Sequence, residues 1–334
     1  MLKLFLTKKL ERVGYFLIFD SFAGAKSKRL FQNVSLDNLS DIYTVADNPK
    51  DADYIAIPYN YFSVKNMSGY LEECVLIAQS ANKKILIFAY GDSDEEINIP
   101  NSIIFRTSQY SYKKKGNEIV MPAYVEDLGS DDFIKRFKKD AKPVVSFVGW
   151  AGFKNFSQRI KYFYKILTKT NLHRQGLYFR RKALGILSKS NLVSTAFVIR
   201  SSYSGHKNTI ELNPEEARKE FIEKIKDSDF SLAVKGDGNY SLRFYEILSL
   251  GRIPVLIDTD CLLPMEDKIK YDDFILRVDY KKIDKIDQII SDYYKKLKGD
   301  NFVTMQEKAR EMFSKYLNIR SFFVIVFKEL EYEK

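Results

Sequence analysis

Short apolar runs alternate with segments of helical spacing along the first 130 residues. The segment 68–83, "SGYLEECVLIAQSANK", places Leu71, Cys74, Val75 and Ala78 on one helical face. Near-continuous apolar runs joined by helices indicate strands buried on both faces of a parallel sheet. The predicted strands are "GYFLIFD" (14–20), "YIAIP" (54–58), "ILIFAY" (85–90), "SIIFR" (102–106) and "EIVMP" (118–122).

A second series of the same kind follows the polar segment "DDFIKRFKKDAKP" (131–143). Its predicted strands are 144–149, 193–201, 230–235, 253–257 and 274–278, with helices near 156–168, 214–228 and 240–250. The pattern predicts an α/β protein with two Rossmann-like, doubly wound domains facing a cleft. We place the first at 1–140 and the second at 141–310, followed by a C-terminal helix at 311–334. Ligands of such sheets bind at the carboxyl ends of the strands.

Charge, cysteine content and the lengths of the apolar runs indicate what the chain can bind and where it works. The 54 Lys and Arg against 44 Asp and Glu give a net charge of +10, which favours anionic partners. Two cysteines, Cys74 and Cys261, form neither a disulfide framework nor a Cys/His metal motif. The apolar run at the start is too short for a signal peptide and no stretch is long enough to span a bilayer, so we expect a cytoplasmic protein.

The stretch "KGDGNYSLRFYEILSLGRIPVLID" (235–258) holds the most informative local chemistry. Gly236 and Gly238 allow a sharp turn and leave room for a ligand against main-chain N–H groups. Asn239 or Ser241 is placed to cap the following helix, and Gly251 to end it.

Arg243 lies in the first turn of that helix, where the helix dipole disfavours a cation. A bound anion would resolve the conflict, since free N–H groups and the guanidinium would hold it together. Glu246, one turn on, would then accept from ribose hydroxyls or tether Arg243. From the residues alone, an ordinary capped surface helix stays an equal alternative. The spacing is neither a P-loop nor a GxGxxG fingerprint.

The segment 228–274 resembles the C-terminal signature of exostosin-like glycosyltransferases. The matching features, in order, are a Ser-x-Phe strand, a Lys-Gly loop, Ser-x-Arg-Phe-x-Glu, Ile-Pro-Val, Leu-Pro and Asp-Phe. Weaker similarity extends over "DADYIAIP" (51–58), "AYGDSD" (89–94), "NEIVMP" (117–122) and "FVGWAGFKNFSQR" (147–159). The chain departs from the family at Val234, Ser231 and Arg252. Family members often carry a membrane anchor, and we expect none here.

The resemblance implies a GT-B fold whose C-terminal helix crosses back to the first domain, although an oligomer interface is an alternative use of that helix. It implies an inverting, metal-independent transferase without a cofactor, which moves a hexosyl or pentosyl group from a nucleotide-sugar to a saccharide hydroxyl. A UDP-sugar is favoured over a GDP-sugar. The implied donor-binding residues are Lys235, Gly236, Gly238, Ser241, Arg243, Glu246, Gly149 and Arg159. Asp92 is the candidate general base, and Asp94 the second candidate.

The expected setting is synthesis of a surface polysaccharide or glycoconjugate, with a saccharide or lipid-linked acceptor and peripheral contact with the inner face of the membrane. We expect no nucleic acid partner. Two alternatives remain: a basic protein that binds single-stranded nucleic acid through "YSYKKKGNEI" (110–119), and a catalytically dead interaction module. The Asp-x-Asp triplets at 92–94 and 258–260 resemble a metal motif, for which a loop or capping role is favoured.

Overall fold

The computed structural model describes residues 1–22, 41–129, 141–153, 156–168, 171–200 and 213–333. They form two sheets in which the paired strands are parallel. The first, in the order β2-β1-β3-β4-β5-β6, consists of β1 (Leu2–Leu6), β2 (Tyr43–Val45), β3 (Tyr54–Asn60), β4 (Lys84–Ala89), β5 (Ser102–Arg106) and β6 (Glu118–Val120). The second, in the order β11-β10-β9-β7-β8, consists of β7 (Val144–Trp150), β8 (Ser194–Arg200), β9 (Phe230–Ala233), β10 (Ile253–Asp258) and β11 (Leu276–Asp279).

Helices connect the strands and cover the sheets. They are α1 (Tyr61–Val64), α2 (Ser68–Ala81), α3 (Phe156–Thr168), α4 (Gly176–Leu187), α5 (Pro214–Lys226), α6 (Leu242–Ser249), α7 (Ile286–Lys296), α8 (Gly299–Met312) and α9 (Ile319–Tyr332). No helix in the described part of the chain is long and apolar enough to cross a membrane.

The central strands of both sheets are buried on both faces, as continuous apolar strands require. In β4, Leu86 and Phe88 enter one hydrophobic cluster while Ile85 and Ile87 enter another on the opposite face. The second sheet likewise separates two clusters, one with Phe230 and Val255 and one with Ala233 and Leu256. The predicted doubly wound architecture is confirmed.

The final helix covers the first sheet. Phe322, Phe323 and Phe327 of α9 pack in the cluster that contains Leu4 and Phe88. The Tyr54 hydroxyl also donates to the Leu330 carbonyl over 3.0 Å. The predicted crossover to the first domain, and with it the GT-B arrangement, is confirmed. The predicted boundary near 140 lies in a segment outside the described residues, so the domain limits stay predictions.

The predicted strand at 14–20 is wrong. Tyr15 forms an isolated antiparallel bridge with Tyr59, and the following residues form a 3-10 helix, Leu17–Phe22. Phe16, Ile18 and Phe19 are buried in the core, and an apolar run of this length is compatible with either structure. The strands β1 and β2, which the sequence did not reveal, occupy that side of the sheet instead.

Candidate active site

The carboxyl ends of the two sheets meet at the segment that follows β9. The Asn239 backbone N–H donates to the Ser108 hydroxyl over 2.9 Å, and the Ser111 N–H donates to the Asp260 carbonyl over 2.9 Å. Tyr110 and Cys261 form an antiparallel bridge. Residues 235–241, between β9 and α6, form the predicted donor loop. This loop therefore lies against the first domain, at the edge where α/β folds bind ligands.

Arg243 lies where α6 begins beside the end of β7. Its Nη2 donates to the Val148 carbonyl, and its guanidinium lies 4.4 Å from the centroid of the Phe147 ring. Gly149 has φ +154°, and a Cβ added there would lie 2.6 Å from the Arg243 Nη2. The structure thus brings Arg243 and Gly149 together. A Cβ at this position would displace the guanidinium, and the backbone φ itself favours glycine.

Helix α6 has the ends that the sequence predicts, with one difference in capping. Ser241 is the N-cap residue but its side chain makes no capping hydrogen bond. Asn239 is buried instead in the contact with the first domain, where its Nδ2 donates to the Gln109 carbonyl over 3.1 Å. Gly251 follows the helix with φ +60°, the left-handed conformation of a helix C-terminus.

Glu246 is buried and pairs with a residue that the sequence did not suggest. Arg218 of α5 donates from Nη1 to the Glu246 Oε1 over 2.7 Å, and from Nη2 to the Glu126 Oε2 over 3.4 Å. Both partners of the first pair are largely buried, since 10% of the Glu246 side chain and 16% of that of Arg218 is exposed. The tether for Glu246 that the structure shows is therefore Arg218.

The glycines of the loop serve contacts between protein segments. A Cβ on Gly238 would lie 2.7 Å from the Asp92 Cα, whereas a Cβ on Gly236 would meet nothing within 4 Å. The close approach at Gly236 comes from Gly176, where an added Cβ would collide with the Gly236 carbonyl oxygen. Gly238 thus makes room for the first domain, and Gly176 is a site glycine that the sequence did not single out.

Lys235 is 3% exposed and held by neutral groups. Its Nζ donates to the Tyr110 hydroxyl over 2.7 Å and to the Asn239 Oδ1 over 3.4 Å. Burial lowers the pKa of Lys235 to about 8, with Arg174 adding to the effect. The side chain borders a narrow pocket whose free interior holds about one water molecule. A nucleotide would need the two domains to move apart here.

The candidate bases Asp92 and Asp94 lie in different environments after β4. Asp92 is exposed, and within the described part of the chain it forms no ion pair. Asp94 binds Lys113 over 2.6 Å and also Arg174 of the second domain. Burial raises the pKa of Asp94, but the Lys113 hydrogen bond and the Arg174 charge together leave it below its ordinary value. The lowered pKa makes Asp94 a weaker base than an ordinary aspartate.

Arg159, Trp150 and Asp258 lie in different surroundings. Arg159 is exposed on α3. Trp150, the last residue of β7, is 9% exposed, so its ring packs within the protein. The Asp258 Oδ1 accepts from the Cys261 N–H over 3.0 Å, so this carboxylate caps a turn as predicted. Residues 201–212, which include His206, are not among the described residues.

Three arginines near the donor loop were not predicted from the sequence. Arg180 donates to the Trp150 carbonyl over 2.9 Å and to the Lys235 carbonyl over 3.3 Å. Arg181 donates to the Ala151 carbonyl over 2.7 Å, and Arg174 lies 5.1 Å from the Tyr110 ring centroid. The run "RRK" at 180–182 was the available signal, but nothing in it indicates that α4 faces β7 and the loop.

Comparisons with known proteins agree with the resemblance in the sequence. Residues 181–292 match the family model of the Exostosin GT47 domain, a segment that holds α6 and the donor loop. No curated protein gives a significant match.

Solved structures similar to the chain include three at low identity. A glycosyltransferase from Rickettsia africae ESF-5 is 12% identical with TM-score 0.40, over 91% of this chain and 85% of that one. A mutant of S. aureus TarM in complex with fondaparinux, α-GlcNAc-glycerol and UDP is 11% identical with TM-score 0.41, over 86% and 56%. The catalytic domain of starch synthase IV from Arabidopsis thaliana, bound to ADP and acarbose, is 10% identical with TM-score 0.32, over 81% and 77%.

Proposed function

Because residues 181–292 carry an exostosin-like glycosyltransferase domain, we propose that this chain is an inverting, metal-independent glycosyltransferase that uses a nucleotide-sugar donor. The observation that carries the proposal is Arg243, held at the start of α6 beside Gly149. A diphosphate bound at this helix start would accept from the guanidinium and from the first N–H groups of α6.

Departure of the nucleoside diphosphate places negative charge on the second-domain edge. Arg243, Lys235 and the N-terminus of α6 stabilise that charge, and Arg180 adds a cation beside the loop. The sugar passes through a state with oxocarbenium character. The bond to the diphosphate oxygen breaks as the acceptor oxygen attacks the opposite face of the anomeric carbon.

The acceptor hydroxyl loses its proton to a base on the first domain. Asp92 fits this role better than Asp94, because Asp94 is engaged by two cations while Asp92 is exposed beside Gly238. The acceptor is a saccharide, in a surface polysaccharide or a glycoconjugate. A UDP-sugar donor, a lipid-linked acceptor and a cytoplasmic location with contact at the inner membrane face belong to the same proposal.

A screen of UDP- and GDP-sugars with saccharide acceptors, with and without EDTA, tests the proposal. We expect transfer that EDTA does not reduce, and a product whose anomeric configuration, measured by NMR, is opposite to that of the donor. Retained configuration would contradict inversion, and loss of activity in EDTA would contradict metal independence. Salt-sensitive binding of single-stranded nucleic acid without affinity for UDP or GDP would replace the enzyme with the alternative basic binding protein.

A further inference from the structure

Helix α3 carries an apolar stripe that faces solvent. Its members are spaced at helical intervals and are more than half exposed, up to 73% for Phe156 and 84% for Leu167. They are Phe156, Ile160, Phe163, Tyr164 and Leu167. At about 100° per residue they cover roughly 100° of the helix circumference. Packing in the core accounts for none of these exposed side chains.

The opposite side of α3 attaches it to the protein. Tyr162 contacts the Phe153 ring edge to face, with centroids 5.0 Å apart, and Arg181 of α4 lies 4.8 Å from the Phe153 centroid. Tyr162 and Ile166 are partly buried, as expected for the inward side. The orientation of the helix is therefore fixed by these contacts, and the stripe is directed outward.

The charges of α3 have one sign. Arg159 and Lys161 are exposed and flank the stripe on its two sides, Lys165 lies on the polar side, and the helix contains no acidic residue. A second copy of this helix would bring like charges together at the rim of a shared apolar contact. An anionic lipid surface would instead receive the cations at the head groups and the aromatic and aliphatic side chains below them.

We propose that α3 is a membrane-docking helix that lies in the interface of an anionic phospholipid bilayer. Arg159 then acts on lipid head groups rather than on the donor. Only the five residues 151–155 separate β7 from α3 in the sequence, so docking would hold the carboxyl end of β7, and with it the cleft, close to the bilayer surface. Such placement would suit an acceptor carried on a lipid, but binding itself requires neither donor nor acceptor.

Flotation with lipid vesicles, without any substrate, tests the docking surface. We expect the protein to float with vesicles of phosphatidylglycerol and phosphatidylcholine in equal parts, and much less with phosphatidylcholine alone. The double variant Phe163→Glu with Leu167→Glu should lose about tenfold in vesicle affinity for each residue, from the apolar area no longer buried. Lys161→Gln should lose about fivefold, and added salt should reproduce that loss.

Leu76→Glu is the matched control, because Leu76 is an equally exposed apolar residue on α2 of the first domain. It should bind vesicles as the wild type does. Equal loss in this variant, or no binding by the wild type, would overturn the proposal. A wild-type dimer that the double variant converts to a monomer, with no vesicle binding by either, would assign the stripe to self-association instead. Each outcome is independent of whether sugar transfer is found.

Discussion

The two strand edges that face each other across the cleft hold their charges in different ways. On the first domain, Asp94 is paired with Lys113, and the neighbouring Glu95 with Lys65. On the second domain, the buried Lys235 donates from its ammonium group to the Tyr110 hydroxyl. A neutral acceptor orients a cation and leaves its charge in place, whereas an ion pair compensates it. Lys235 is thus suited to an anionic donor.

On the first domain, two neighbouring carboxylates differ in their pairing. A carboxylate that is already paired with two cations is a weak base, and Asp94 is in that position. Asp92, two residues earlier, lies against the glycine loop without such pairing in the described chain. The proposed function therefore gives proton removal to Asp92, whereas Asp94 forms an interdomain ion pair with Arg174.

The largest expected effect comes from the base. Asp92→Asn should lower the turnover of sugar transfer about a thousandfold, because asparagine cannot accept the proton of the acceptor hydroxyl. Nucleotide affinity, measured by calorimetry, should stay unchanged. Asp94→Asn is the matched comparison and should cost much less turnover. If Asp94→Asn abolishes transfer while Asp92→Asn leaves it intact, the two roles are reversed.

A second prediction concerns the buried pair of Glu246 and Arg218. Glu246→Gln removes the closer of the two carboxylates that contact Arg218 and leaves only the Glu126 contact, so it should lower the free energy of unfolding in urea by about 2 kcal/mol. Glu223→Gln on α5 removes an exposed carboxylate near Lys219 and should cost at most about 0.5 kcal/mol. Equal urea midpoints for the two variants would show that Glu246 has no tethering role.

The glycines of the donor loop provide a matched pair. Gly238→Ala should destabilise the protein by about 2 kcal/mol, because its Cβ would meet the Asp92 backbone. Gly236→Ala should be close to neutral, since its Cβ would enter open space. Thermal unfolding of both variants measures the difference. A neutral Gly238→Ala would mean that the loop is not held against the first domain in solution.

The smallest expected effect is a dependence of UDP affinity on pH. With its pKa at about 8, Lys235 is charged below that pH and loses its proton above it. Affinity for UDP should be flat up to about pH 8 and fall by up to tenfold for each further pH unit. The Lys235→Met variant should bind UDP more weakly at neutral pH, and its UDP affinity should no longer fall above pH 8. A slope that persists in Lys235→Met would place the titrating group elsewhere.

Most of the fold could be predicted from the sequence because it is set by local patterns. Apolar runs such as 85–90 identify buried strands, and Gly251 ends α6 as predicted. The run at 14–20 failed because burial alone does not distinguish a strand from a 3-10 helix. The first strand, Leu2–Leu6, carries the same kind of apolar pattern within a run considered only as a targeting signal.

The candidate site was predictable only where a residue conflicts with its surroundings. Arg243 at a helix start is such a case. Arg218, Arg180 and Gly176 are ordinary residues in their own segments, and their positions depend on how α4 and α5 pack against the loop. Contacts between distant segments are not visible in the residues around each position, so these three could not be selected from the sequence.

Binding of UDP and GDP to the wild type and to Arg243→Ala tests the central claim most directly. Arg320→Ala, which removes an exposed arginine of α9, controls for loss of charge alone. We predict that Arg243→Ala lowers affinity about a hundredfold, the effect of a lost charge-assisted contact, while Arg320→Ala binds as the wild type. Undiminished binding by a folded Arg243→Ala protein would contradict the assignment of the donor diphosphate to this edge.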